Sequence, residues 1–197
     1  MVKTNSMFVE LGTSLPFFEI LNVNSIHNNK LSSSNLDERH LLIMFICAHC
    51  PFVKHIEKEI SNLTKDIETK VQTIAISSND INTHPGDSPE NLRQQAKING
   101  WTFPYLFDED QSFARKLKAA CTPDFYLFSH KVNTNFSLFY HGQLDKSRPS
   151  NNLEVNGEDL RLAINAMIEK KEYTRNQIPS LGCNIKWSVG KEPEWFK

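Results

Sequence analysis

Residues 47–50 read Cys47-Ala48-His49-Cys50, two thiols separated by two residues. The chemistry such a pair can do is thiol–disulfide exchange. One thiolate attacks a disulfide, and the second thiol, one helical turn away, resolves the adduct. The pair follows the uniformly apolar run 41–46 (LLIMFI) and precedes Pro51, which opens an amphipathic segment. It therefore lies where a buried strand runs into a helix. Backbone N–H groups and the dipole at a helix start favour a thiolate, so Cys47 is expected to attack and Cys50 to resolve. An imidazolium at His49 would stabilise the thiolate and make the disulfide more oxidising. Two small packed hydrophobes would be the inert reading of these cysteines; their place at the junction favours the redox reading.

The chain has two more cysteines. Cys121 stands in Cys121-Thr122-Pro123, directly before the apolar run Asp124–Ser129. It is either a third redox thiol or a packed side chain. Cys183, in Gly182-Cys183-Asn184, is either a resolving thiol that reaches back or a residue buried where a tail docks, and the packing reading is preferred. Cys47, His49, Cys50 and Cys121 have residue types that suit zinc or copper. No second Cys-x-x-Cys recurs, so no metal and no cofactor are expected. Lys54 and His55, one turn into the helix, read as a solvated face. The remaining histidines (27, 40, 84, 130 and 141) fall in or beside loops without ligand spacing.

The elements that must position these groups follow from periodicity. Residues 1–16 read as an irregular arm, and 17–22 with 26–31 as a short hairpin broken by asparagines. Pro51–Ile67 is a helix, with Phe52, Val53, Ile56, Ile60, Leu63 and Ile67 on one face. Val71–Ser77 is a strand, which completes a βαβ unit with a right-handed crossover. After the turn-rich stretch 78–88, Pro89–Asn99 is a helix, with Ser88 as N-cap and Gly100 as its stop. A strand at 103–107 and a third helix from Asp108 or Glu109 to Ala119 come next. Asp124–Ser129 and 136–141 form an antiparallel pair, and 159–171 is the last helix. This order, with Cys-x-x-Cys after an early buried strand, predicts an α/β thioredoxin-like fold. It has a central mixed sheet flanked by helices, an N-terminal hairpin and a C-terminal tail. Residues 1–171 form the domain. Residues 172–197 form the tail, which carries Cys183, Trp187 and Trp195 and packs on the domain.

At 197 residues, with 39% hydrophobic and 23% charged side chains, the composition is that of one folded domain. A net charge of −1 gives no electrostatic reason to bind nucleic acid or a membrane surface. The first residues lack a basic stretch followed by an apolar one, and four cysteines are too few for a disulfide-stapled secreted scaffold. The expectation is a cytoplasmic protein.

Several stretches together resemble a known family: FICAHCPFVKHIEKEI, SSNDINTHPGDSPENL, FPYLFDE, AACTPDFYLF, SRPSNN and SLGCNIKW. They look like the peroxiredoxin-like branch of the thioredoxin superfamily, the redoxin or alkyl-hydroperoxide-reductase/thiol-specific-antioxidant group, over residues 15–187. The resemblance implies a cis Thr122–Pro123 bond facing the dithiol, with the Thr122 backbone pairing an extended substrate. The His49-Cys50 dipeptide is similar to that of protein disulfide isomerase and bacterial periplasmic oxidases. Against the peroxidatic pattern Pro-x-x-x-Thr-x-x-Cys ending at Cys50, this chain has Ile43 for the proline and Cys47 for the threonine, and the arginine usual before the later strand is missing. The leading expectation is therefore a thiol–disulfide oxidoreductase acting on protein or small-molecule disulfides and served by a reducing thiol system. A thiol peroxidase reducing hydroperoxides, with Cys47 or Cys121 resolving Cys50, is the rival enzyme. A non-catalytic metal- or partner-binding module is the third reading. The family resemblance also leaves a homodimer open.

Overall fold

Strand pairing follows the apolar periodicity. The computed structural model describes residues 3–27, 29–130 and 136–196. The chain runs β1 (Lys3–Asn5), β2 (Glu19–Asn22), β3 (Lys30–Ser32), β4 (His40–Phe45), α1 (Pro51–Ile67), β5 (Val71–Ser77), α2 (Pro89–Asn99), β6 (Tyr105–Phe107), α3 (Ser112–Lys116), β7 (Cys121–Thr122), β8 (Asp124–Ser129), β9 (Ser137–Gly142), α4 (Glu158–Ile168) and β10 (Leu181–Asn184). Seven strands form one mixed sheet in the order β3-β2-β6-β5-β4-β8-β9, and β1-β10-β7 form a second, smaller sheet. Parallel pairs join β4 to β5 and β5 to β6, and β8 runs antiparallel to β4. This is the α/β architecture that the order of elements predicted. No helix among the described residues is long and apolar enough to cross a membrane.

β4 is central because both of its faces are apolar. Leu42 and Met44 face a core shared with Val53, Ile56, Ile60 and Leu63 of α1 and Leu160, Ile164 and Met167 of α4. Leu41, Ile43 and Phe45 point to the other side, onto Phe113, Leu117, Ile185 and Trp187. Each such side chain contributes about 1.5–3 kcal/mol on burial. α1 starts at Pro51, whose missing N–H has no partner to lose in the first turn. The Ser88 hydroxyl caps α2 by accepting from the Asn91 N–H, and Gly100 ends it at φ 65°.

Four expectations need correction. The arm at 1–16 is not wholly irregular, because Lys3–Asn5 pairs with Leu181–Asn184. The second hairpin strand begins at Lys30, and Ile26 is exposed. The third helix starts only at Ser112. The Asp108 carboxylate accepts the Phe113 and Ala114 N–H groups, and Gln111 takes φ 59°. It also stops early, since Lys118 lies at φ 52°. The last helix ends at Ile168, before Lys170 at φ 57°. Of the predicted segments, residues 1–2, Asn28 and Lys197 fall outside the described residues.

Candidate active site

The end of β4 delivers Cys47 to the start of α1, and Cys50 is the N-cap residue of that helix at φ −71°, ψ 122°. Both sulfurs meet Thr122. Cys47 Sγ lies 3.3 Å from Thr122 Oγ1, and Cys50 Sγ lies 3.2 Å from the Thr122 carbonyl oxygen. The Thr122–Pro123 bond is cis, as predicted. A third sulfur joins them: Cys183 Sγ of β10 lies 2.8 Å from Cys50 Sγ. None of the cysteines is in a disulfide, and Cys47, Cys50 and Cys183 are 0%, 0% and 1% exposed, so solvent does not reach them in this conformation.

The loop after β5 holds the other side of the site. His49 Nδ1 is 3.8 Å from Cys47 Sγ and donates to Asp87 Oδ2 at 2.5 Å. Asp87 Oδ1 accepts the N–H groups of Ala48 and His49 at 2.8 and 3.0 Å, and Oδ2 accepts Asn79 Nδ2 at 2.7 Å. Burial opposes the charge on Asp87. His49, Asn79 and the His49 backbone outweigh it and hold the carboxyl below its usual range. The carboxylate thus ties the dithiol loop to the 84–87 turn, where Gly86 lies against His49. Gln95 Nε2 donates to the Cys47 carbonyl at 3.3 Å and the Tyr105 hydroxyl to Gln95 Oε1 at 3.0 Å, which fixes the loop from α2. Cys47 Sγ, His49 Nδ1 and an Asp87 oxygen lie within 4.8 Å of one another, a donor set that could hold zinc or copper. The four hydrogen bonds to Asp87 are also those of a structural anchor.

The three sulfurs are electrostatically unequal. Burial, the contact with Cys50 and the Asp87 charge all push Cys47 well above the ordinary thiol range. Hydrogen bonds from Cys183 and Cys47 outweigh burial at Cys50 and pull it strongly down, with help from the Val53 amide and Thr122. Cys183 is raised, because it donates to Cys50 and is buried. When protonated, Cys50 donates to the Thr122 carbonyl; when ionised, it accepts from its two thiol neighbours. Of the three sulfurs, Cys50 is the one whose neighbours favour the thiolate. The sequence expectation put it at Cys47, from the helix start alone. Cys50, not Cys47, is the residue at that start, and two thiol donors surround it.

The structure brings together Cys47, His49, Cys50 and Thr122, and sets Pro123 beside them. It does not bring Cys121 into the cluster. Cys121 Sγ lies 3.9 Å from the carbonyls of Pro123 and Ser180, and burial raises its pKa. The Thr122 edge expected to take a substrate strand is paired with β10 of the same chain. Sequence reasoning ranked a Cys183 that reaches back to the dithiol second to simple packing, and it missed Asp87 and Asn79 altogether. A signal for the latter two was present: the loop after β5 leaves the carboxyl end of a parallel strand, where α/β sheets place their sites.

A match to the AhpC/TSA family spans residues 11–136. Two crystal structures are similar over nearly the whole chain. One is an uncharacterized conserved protein from Geobacillus kaustophilus, 42% identical at a TM-score of 0.90, covering 96% of this chain and 98% of that one. The other is a hypothetical protein from Sinorhizobium meliloti 1021, 37% identical at a TM-score of 0.89, covering 95% of this chain and 100% of that one. A secreted disulfide oxidoreductase from Mycobacterium tuberculosis shares the fold at 12% identity and a TM-score of 0.55, over 76% of this chain and 95% of that one. No curated protein matches the chain in sequence.

Proposed function

This chain belongs to the AhpC/TSA (redoxin) family, and we propose that within it the protein is a thiol–disulfide oxidoreductase working through Cys47 and Cys50. The family and the thioredoxin-like fold support thiol-based oxidoreductase or peroxidase chemistry in general. The observation that carries the narrower reading is the convergence of two thiols on Thr122 at the start of α1, with Cys50 polarised towards thiolate. Cys50 attacks one sulfur of a substrate disulfide. A mixed disulfide forms, and one substrate sulfur leaves as thiolate. Cys47 then loses its proton, attacks the Cys50 sulfur and expels the second substrate thiolate, leaving a Cys47–Cys50 disulfide. The departing substrate thiolate takes up that proton, while the His49 Nδ1–H, held on Asp87 and 3.8 Å from Cys47 Sγ, faces the sulfur as charge forms on it. A reducing thiol system returns the pair. The substrates are protein or small-molecule disulfides, and a sparse set of thiols fits a reducing compartment such as the cytoplasm.

A depressed Cys50 pKa also favours the peroxidase reading, in which peroxide oxidises Cys50 to sulfenic acid and Cys47 resolves it. Against it, the polar groups around Cys50 are Cys47, Cys183, Thr122 and the Val53 amide, with no arginine among those described to polarise a peroxide.

Thiol mapping separates the readings. Reduced protein is exposed to oxidised glutathione or, separately, to substoichiometric hydrogen peroxide, and Cys50→Ser is run beside it. Rapid disulfide formation at Cys50 with glutathione and a slow response to peroxide is expected, with both lost in Cys50→Ser. Fast sulfenic acid at Cys50 would make the protein a peroxidase. Inert cysteines with stoichiometric zinc in the purified protein would leave the binding reading.

A further inference from the structure

The β7 edge is occupied from within the chain. Cys183 stands opposite Thr122 and Asn184 opposite Cys121 in an antiparallel ladder. β10 is held from both sides, since β1 pairs with its far edge. Beyond its ends, the Ser180 hydroxyl donates to the Gly142 carbonyl at 2.8 Å and the Lys186 N–H to Asn79 Oδ1 at 2.8 Å. Gly182 permits the approach: a Cβ there would lie 1.9 Å from the Thr122 carbonyl oxygen and 2.5 Å from its carbon. With no side chain at 182, the strand settles onto Thr122, and Cys183 Sγ comes to 2.8 Å from Cys50 Sγ. An extended peptide paired with this edge would carry its own cysteine to the same place.

We propose that β10 is an internal substrate strand and that Cys183 is a third redox thiol, which forms a disulfide with Cys50 in exchange with the Cys47–Cys50 disulfide. The inference rests on the reading of Cys50 as the exchanging thiol. Starting from a Cys47–Cys50 disulfide, Cys183 loses its proton and attacks the Cys50 sulfur. The Cys50–Cys183 bond forms, the Cys47–Cys50 bond breaks, and Cys47 leaves as thiolate and takes up a proton. That step is an isomerisation with no net oxidation. Starting from a mixed disulfide between Cys50 and an external thiol, the same attack expels the external thiolate. Over the two steps an external disulfide accepts two electrons and is released as two thiols. A Cys50–Cys183 bond would fasten the tail over the site, whereas a bulky protein disulfide needs β10 to lift away.

Tryptic peptides make the test direct. Cys47 and Cys50 fall on residues 40–54, Cys121 on 119–131 and Cys183 on 176–186. The full-length protein is treated with one equivalent of oxidised glutathione, quenched in acid, alkylated and mapped. Peptide 40–54 cross-linked to 176–186 is expected in the wild type and in Cys47→Ser. In Cys47→Ser, loss of the glutathione adduct at Cys50 should be at least about tenfold faster than when Cys183→Ser is added. An internal disulfide in 40–54 with Cys183 fully alkylated overturns the inference and leaves the oxidoreductase reading intact. A glutathione adduct that persists at Cys50 in Cys47→Ser does the same. Absence of any disulfide or adduct at Cys50 overturns both. Retention of the Cys47–Cys50 disulfide in Cys183→Ser shows that the dithiol survives the substitution.

Discussion

Cys121 and Cys183 sit on neighbouring strands of one three-stranded sheet, both buried, yet only Cys183 touches the reactive thiols. The difference is one of parity. In an antiparallel ladder, residues directly opposite share a face and the next residue along points the other way. Thr122 and Cys183 are opposite each other and both face α1, so Thr122 Oγ1 reaches Cys47 and Cys183 Sγ reaches Cys50. Cys121 is one step off, and its sulfur turns to the carbonyls of Pro123 and Ser180. Adjacency to the cis-proline in sequence is therefore a poor guide to adjacency to the site.

The sharpest way to break the contrast is at Gly182. A valine there would place side-chain carbon well inside contact distance of the Thr122 carbonyl, which is backbone and cannot swing aside. Gly182→Val should cost about 3 kcal/mol in urea unfolding, at the upper end of overpacking. In the native state, Cys183 should become accessible to alkylation while Cys121 stays protected. A loss under about 1 kcal/mol, with Cys183 still protected, would mean that the strand tolerates a larger spacing and that its approach to Thr122 does not set the sulfur contact.

The same contrast explains what could be read from sequence. β4, α1, β5 and α2 were legible because their signals are local: an all-apolar run, a helical stripe, Pro51 and Ser88 at helix starts, Gly100 at a stop. The Cys47–Cys50 pair came with them. β10 was not legible, because four residues, LGCN, become a strand only through partners more than fifty residues away, at 121–122, and at the far end of the chain, at 3–5. Neither Cys183 nor Cys121 carries a local mark of the face it will take. The third helix was overdrawn for a related reason. Asp108 looked like a helix opener, but it caps from four residues before Ser112 with its buried carboxylate.

A smaller effect separates the two cysteines by charge rather than by packing. Cys183 donates to Cys50 and is the first cause of the low Cys50 pKa. Cys183→Ala removes that donor, and a hydrogen bond to a charged group contributes about 1.5–3 kcal/mol. The pH at which Cys50 becomes alkylatable should rise by at least one unit, an order of magnitude or so less thiolate in the acid range. Cys121→Ala should leave the profile unchanged and cost only about 1 kcal/mol of stability for the lost packing. Equal shifts from both substitutions would mean that the Cys50 pKa reports general loosening of the small sheet.

The smallest effect extends the comparison to the carboxylates. Asp87 raises Cys47 as Asp124 raises Cys121, in each case by placing a negative charge near a buried sulfur. Asp87→Asn keeps an oxygen for the Ala48 and His49 N–H groups while removing the charge, and gives up the bonds from His49 Nδ1 and Asn79 Nδ2, because its amide NH2 cannot accept. The Cys47 pKa should then fall and its alkylation near pH 8 quicken a few-fold. The acid limb has its own sign. Because the folded Asp87 pKa is depressed, its stabilisation is present above the ordinary carboxylate range and is lost as pH falls through the lower folded value. Wild-type stability should therefore decline over that acid interval more steeply than that of Asp87→Asn. Asp124→Asn should leave Cys47 reactivity untouched, because Asp124 acts on the sulfur that faces away from the site. If Asp87→Asn instead slows Cys47, the carboxylate serves the thiol mainly through His49, by holding its Nδ1–H towards the sulfur, and its charge is the lesser of its two effects.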